Sequence, residues 1–382
     1  MSDLTLTWDD LRERARNHAD LSAEQRSGAV LAFDALQSFF GNSFFNTKHP
    51  LFWFFLDRSA WRCEWAIWFE GFLQSLKQHP DFPRLIRELG NPALYGERMT
   101  ILKIVEILIP VGFSFSLDSP IKIKDVLKKP DLLVKLDDNN PEFFIEVATL
   151  APSKREQEAT RVFREISESV WPFLFQIDYC GHLERVLAPL HLQEVKQKVQ
   201  IAAKKAAHET GFETLEIPGV IQLAFAAKSR TETLQRWADA HGMKVCEFSG
   251  PEVNVSEFDR ISTKLTKELE QVPLDRANVV VIYSHFFTLP PRDTAAFEKF
   301  VHALEDEVYK HSHIGYLVLI LRWTGGNDNS VLHYRDHICV NRCQLYFNCD
   351  SIMLFKNRFA VKPMPLNVEK KFLKAFTQCN KG

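Results

Sequence analysis

Apolar positions recur along this chain with two periods, and the change from one to the other marks its organisation. Over residues 8–90 they follow helical spacing in WDDLRERARNHA, AEQRSGAVLAFDALQSFF and SAWRCEWAIWFEGFLQSLKQ, which predicts a run of helices. In the last of these Trp61, Trp65 and Trp68 fall at i, i+4 and i+7, and Phe72 continues the stripe. An aromatic stripe can stack nucleic-acid bases, but it reads first as core or as an interface. The next helix spans 91–110, entered through Asn91-Pro92 and stopped at Pro110. Leu94, Ile101, Ile104, Val105 and Leu108 trace one of its faces, and Glu97 lies on that same face.

The period then shortens. VGFSFSLD (112–118), DLLVKL (131–136) and EFFIEVATL (142–150) read as strands, the last two joined by the polar turn DDNN and Pro141. Ser153 and Glu156 form a capping box, so a helix starts at about Lys154 and runs to about Val170. A strand at 172–179 follows, then a long helix over 182–209 that Pro189 should kink or break, then a strand at 218–227. Beyond residue 231 come a helix, a polar stretch with a helical piece (256–270), and strands at 278–286, 313–323 and 351–359. A helix over 293–311 between the first two of these fits a parallel crossover. The expected fold class is α/β. The expected regions are a helical, aromatic-rich segment (1–90), a central core (91–228) and a C-terminal α/β region of open role (229–382).

Composition narrows the function only by exclusion. The 382 residues carry 47 Lys plus Arg against 49 Asp plus Glu, so the chain has no global attraction to nucleic acid. A local patch is needed instead. Lys122, Lys124, Lys128, Lys129 and Lys135 supply one, unless they are the solvated edge of a sheet. The lysines of the long helix, Lys196, Lys198, Lys204 and Lys205, read as its solvated face or as phosphate contacts. No apolar run approaches the ~20 residues of a membrane span, and the N-terminus lacks a basic segment followed by an apolar one. Seven scattered cysteines, an odd number, read as reduced thiols. These features predict a cytoplasmic protein with no membrane partner.

The candidate chemistry lies in two carboxylates. Asp131 opens a strand directly after Pro130, and Glu146 sits inside the next strand between Ile145 and Val147. A carboxylate in an apolar strand is costly to bury without a compensating cation, and two on paired strands point to a divalent metal. The series helix 91–110, strands 112–118, 131–136 and 142–150, helix 153–170, strand 172–179 has the order αβββαβ. That order, with Pro130-Asp131 and Glu146, resembles the PD-(D/E)XK, or restriction-endonuclease-like, nuclease superfamily over residues 91–180. The resemblance implies Mg²⁺ (or Mn²⁺) held by Asp131 and Glu146, with Glu97 as an additional acid from the helix. It also implies phosphodiester hydrolysis of DNA as the reaction. Mg²⁺ takes hard oxygen ligands and keeps several waters, so two or three carboxylates suffice.

The chain departs from that family at one position. Ala148 stands where the motif has Lys, on the same strand face as Glu146. Either the lysine has moved, to Lys154 at the start of the next helix or to Lys135, which shares a strand face with Asp131 but lies about 13 Å along it, or catalysis is lost. In the second case the fold serves as a nucleic-acid- or protein-binding module, with the aromatic N-terminal helices as the surface for a partner or a homo-oligomer. Elsewhere His333, His337, Cys339, Cys343 and Cys349 lie close together in sequence, in a spacing that matches no closed zinc module. Gly325-Gly326 reads as a turn, since the Lys-Ser/Thr of a phosphate-binding loop is missing.

Overall fold

Local signals start several of the helices. Thr7 accepts a hydrogen bond from the Asp10 amide and donates its own amide to the Asp10 carboxylate, and the pairs Ser22–Gln25 and Ser153–Glu156 do the same. The computed structural model that carries these elements describes residues 6–42, 44–45, 49–56, 59–123, 125–137, 142–150, 153–250, 256–284, 294–323, 330–333, 337–344 and 347–377. The DDNN-Pro141 turn beyond Asp137, Lys124 and Gly325-Gly326 lie outside the described residues. The protein is mixed α/β with a helical N-terminus. It divides into two compact units, Met1–Leu150 with Glu257–Gly382, and Ala151–Ser256.

The larger unit begins with helices α1 (Trp8–Arg16), α2 (Ala23–Phe40), α3 (Pro50–Leu56), α4 (Ala60–Leu76), α5 (Phe82–Leu89) and α6 (Tyr95–Leu108). Strands β1 (Ser114–Leu117), β2 (Ile121–Ile123), β3 (Val126–Lys128), β4 (Leu132–Lys135) and β5 (Phe143–Thr149) follow. The smaller unit holds α7 (Lys154–Glu168), β6 (Ile177–Leu183), α8 (Pro189–His208), β7 (Phe212–Ile217), β8 (Ile221–Ala227), α9 (Thr231–Ala240) and β9 (Phe248–Ser249). The chain then returns to the larger unit with α10 (Glu257–Glu268), β10 (Ala277–Ser284), α11 (Ala295–Tyr309), β11 (Tyr316–Trp323), β12 (Ser330–His333), β13 (His337–Gln344), β14 (Phe347–Lys356) and α12 (Leu366–Thr377).

In the larger unit one eight-stranded sheet runs β1-β4-β5-β10-β11-β14-β13-β12. Pairing is antiparallel from β1 to β4 and β4 to β5, parallel from β5 to β10 and β10 to β11, and antiparallel beyond. The strands expected near 278–286, 313–323 and 351–359 therefore extend the sheet begun by β1, β4 and β5. β5 and β10 are near-continuous apolar runs because both faces of the sheet are covered. Phe143, Ile145 and Val147 of β5 and Val279, Val281 and Tyr283 of β10 join the core formed with α1–α6 and α12. Ala148, Val280 and Ile282 join the core under α10 and α11. The tryptophan stripe belongs to the first core: Trp65 is buried, Trp68 and Phe72 pack against it, and Trp61 lies edge-on to Phe54. No helix among the described residues is long and apolar enough to cross a membrane.

The smaller unit is a four-stranded sheet in the order β7-β8-β6-β9, with α7 and α8 over one core and α9 over another. Three expectations change here. Residues Trp171–Phe173 form a 3-10 turn rather than the start of a strand, and β6 begins only at Ile177. β6 pairs with β8 and β9, so it is not the strand beside β5; that place is taken by β10. The helix expected over 182–209 begins at Pro189 instead, at the position where a missing amide proton costs nothing. Gly181 of β6 faces Leu223, and a Cβ there would collide with the Gln222 carbonyl oxygen and the Leu223 side chain. Gly181→Ala is therefore expected to destabilise the protein by about 1–3 kcal/mol, read as a lower midpoint in urea unfolding.

Candidate active site

Asp131 sits one residue before β4. Continuing the β4–β5 register, in which Leu132 faces Ile145, sets Asp131 opposite Glu146. The two are linked through the backbone: the Asp131 amide donates to Glu146 Oε2 at 3.3 Å, and the Val147 amide donates to Asp131 Oδ2 at 2.8 Å. Both side chains are buried. They line a cleft of about 390 Å³, together with Glu97 at the start of α6, Ala148 and Thr149 at the end of β5, and Lys264 and Glu268 of α10. Four acids and one lysine thus converge from one helix start, two strands and a second helix.

Burial and mutual repulsion decide the charge of this group. Burial pushes the Asp131 carboxyl up to about 7, the Val147 amide opposes that, and the charge of Glu97 adds to it. Burial pushes Glu146 further, to about 9, with the charges of Asp131 and Glu268 adding to it. Both shifts favour the protonated form within this pair, and a hydrogen bond joins Glu146 to the Glu268 side chain. Lys264 Nζ lies 2.7 Å from Glu268 Oε1 and supplies the positive charge on this side. On the other side Arg98, itself buried, lies 3.7 Å from Asp131 Oδ1, 3.5 Å from Asp118 Oδ2 and 2.9 Å from Glu88 Oε2. Its Nε and Nη1 make no aligned hydrogen bond despite these charge contacts.

The donor set suits a hard divalent cation. Carboxylate oxygens are the ligands such an ion prefers, and their crowding in a buried cleft is the repulsion a cation would relieve. Thr149 Oγ1, buried at the cleft wall, has no hydrogen-bond partner among the described residues. Among the described residues no three His, Cys, Asp or Glu side chains are already gathered at metal-holding spacing. As they stand, the acids are engaged by backbone amides, by each other and by Lys264.

Three of the residues singled out from sequence, Glu97, Asp131 and Glu146, line this one cleft. Lys154 opens α7 in the smaller unit and is exposed, whereas the cleft takes its lysine from α10. Lys135 is engaged elsewhere, 2.6 Å from Glu142. Sequence reading passed over Lys264, Glu268 and Arg98. A signal for the first two was present: with Ile261 and Leu265 they fall at i, i+3, i+4 and i+7, so a lysine and a glutamate share the stripe that α10 buries. Of the histidine and cysteine group, His337 is buried with Nδ1 2.7 Å from Glu305 Oε1, and Cys339 lies in the core. The side chains of His333, Cys343 and Cys349 lie outside the described residues. The chain matches no protein-family model, no curated protein and no solved structure.

Proposed function

We propose that the larger unit is a divergent restriction-endonuclease-like core that hydrolyses phosphodiester bonds of DNA in the cytoplasm with Mg²⁺ or Mn²⁺. The observation that carries this reading is the pair Asp131 and Glu146, buried and opposed across β4 and β5, with a lysine facing them from the helix that leads into β10. The topology supports it. α6, β1, β4 and β5 are followed, after the 151–256 unit, by α10 and by β10 parallel to β5. This is an αβββαβ series whose second half is supplied by α10 and β10, with a whole compact unit inserted before it.

In this reading Asp131 and Glu146 hold the metal and Glu97 adds a ligand through its half-exposed carboxylate. The cation would neutralise phosphate charge and acidify a bound water. Ala148 cannot play the part of the motif lysine, because it carries no amine; it lies in the same buried core as Ile261 and Leu265 of α10. Lys264 takes that part from α10, in place of the expected Lys154. Arg98 places a positive charge 3.7 Å from Asp131. A catalytically silent binding module is the competing reading, favoured by Ala148 and by the absence, among the described residues, of three acids already at metal-holding spacing.

Cleavage of plasmid or linear DNA separates the two. The expected result is nicking or cutting that needs Mg²⁺ or Mn²⁺, stops with EDTA, and falls by at least about 100-fold in Asp131→Ala. No metal-dependent cleavage by the intact protein sinks the catalytic reading. Metal binding has its own signature. Ligation must displace the proton on Glu146, so Mn²⁺ affinity is expected to rise from about pH 6 to about pH 9 with protons released on binding. Calorimetry in buffers of different ionisation enthalpy measures both.

A further inference from the structure

One end of the smaller unit displays aromatic rings to solvent. The turn between α7 and β6 is held by backbone hydrogen bonds from Phe173 to Val170 (2.9 Å), from Gln176 to Phe173 (2.8 Å) and from Lys228 to Gln176 (3.0 Å). Phe173 tucks inward against the core, with its ring 6.3 Å from that of His208. Its neighbours do the opposite: Phe175 is 95% exposed and Trp171 55%. Two large rings held in water on a fixed turn gain nothing for the fold, and such exposed apolar groups mark interaction sites.

Basic residues lie on the segments this turn touches through His208 and Lys228. Lys204 and Lys205 are exposed at the end of α8, and Arg230 is exposed just after β8. Backbone bonds tie these pieces together: the Thr210 amide donates to the Lys205 carbonyl (3.0 Å), and the Ala227 amide to the Gly211 carbonyl (2.9 Å). The Arg230 side chain lies across Gly211, where a Cβ would meet its Cδ and Nε at 3.0 Å. Three other lysines of this unit are paired, Lys196 with Glu165, Lys198 with Glu194 and Lys228 with Asp178. Lys205 and Arg230 form no ion pair among the described residues; Glu209 and Glu232 are exposed acids close to them in sequence, and Glu168 is exposed three residues before Trp171.

We propose that this end of the smaller unit binds single-stranded nucleic acid, with bases stacked on Trp171 and Phe175 and phosphates on Lys205 and Arg230. Rings and cations on one surface are complementary to an unpaired strand, which offers both base faces and phosphates, while a duplex keeps its base faces covered. For the nuclease reading the consequence is a substrate with an unpaired segment, and that consequence rests on that reading.

The test uses the full chain in EDTA, so cutting plays no part and the two proposals fail separately. Fluorescence anisotropy compares labelled oligo-dT and oligo-rU of ~15 nucleotides with a duplex of the same length. The expected result is single-strand binding at least about tenfold tighter than duplex binding, weakened about 5- to 100-fold by Phe175→Ala and by Trp171→Ala. Lys205→Gln should weaken it further and lower the salt slope by about one. Either preference between dT and rU supports the surface and identifies its sugar. Circular dichroism checks that the variants are folded, which the exposure of Phe175 makes the expectation. Equal affinity for duplex and single strand overturns the proposal, as do aromatic variants with unchanged affinity. A Phe175→Ala protein that loses a concentration-dependent dimer while binding oligo-dT as before also overturns it, since the turn is then a contact between copies.

Discussion

Glu146→Gln is expected to melt at a higher temperature than the parent at pH 8 in the absence of metal, and to lose metal-dependent cleavage. The two effects have one cause. In the folded protein Glu146 binds its proton up to about pH 9, while in the unfolded chain it releases it near 4.5. The folded state thus holds more protons than the unfolded state across that window, so stability falls as pH rises through it. Asp131 adds a similar loss between its ordinary value of 3.8 and about 7. Below about pH 4 both groups are protonated in both states and the loss is absent. Glutamine keeps an oxygen to accept the Asp131 amide and a neutral donor for Glu268, without the charge. At about 1.4 kcal/mol per pH unit between 4.5 and 8, the gain at pH 8 has an upper bound of about 5 kcal/mol. It should vanish near pH 4. A parent protein that grows steadily more stable from pH 5 to pH 9 would show that these acids are not crowded in the way described.

The second large effect concerns Lys264. Lys264→Ala is expected to lower cleavage about 10²- to 10³-fold, within the range of one positioned proton-transfer or charge-stabilising group. Lys154→Ala should leave it unchanged. Loss of Lys264 also frees Glu268 from its ion pair, so the cleft becomes more negative and Mn²⁺ should bind at least as tightly. Weaker cleavage with undiminished metal affinity distinguishes a lysine that acts on the substrate from one that merely holds α10 in place. Lys264→Arg should restore charge and part of the activity. If Lys154→Ala is the damaging change and Lys264→Ala is silent, the lysine has been assigned to the wrong helix.

The acidic strand pair was legible because its signals are local. Pro130 bars a continuing helix, the apolar pattern of 131–136 and 142–150 has strand length, and Glu146 stands out in an apolar run. The helical N-terminus and the burial of Trp65 were legible for the same reason. What was hidden is non-local. Nothing near residue 150 signals that the parallel partner of β5 begins at Ala277, and the next helix and strand in sequence, α7 and β6, offered themselves as the continuation. Lys264 was hidden by the same insertion, since its role depends on which helix lies under β5. The segment from residue 172 reads as strand because its aromatic residues carry high strand propensity, whereas Trp171–Phe173 form a 3-10 turn that leaves Phe175 exposed.

The pairing of Glu146 with Val280 spans 134 positions (280 − 146) of chain. On the ribosome, at about 5–20 residues per second, β10 emerges roughly 7–27 s after β5. During that interval the inserted unit can collapse on its own sheet, while β5 waits as an open, almost wholly apolar edge. Such an edge is where nascent chains join one another. Slower translation across 151–276, or loss of trigger-type chaperones, should therefore reduce the soluble yield of this protein more than that of one whose sheet closes in sequence order.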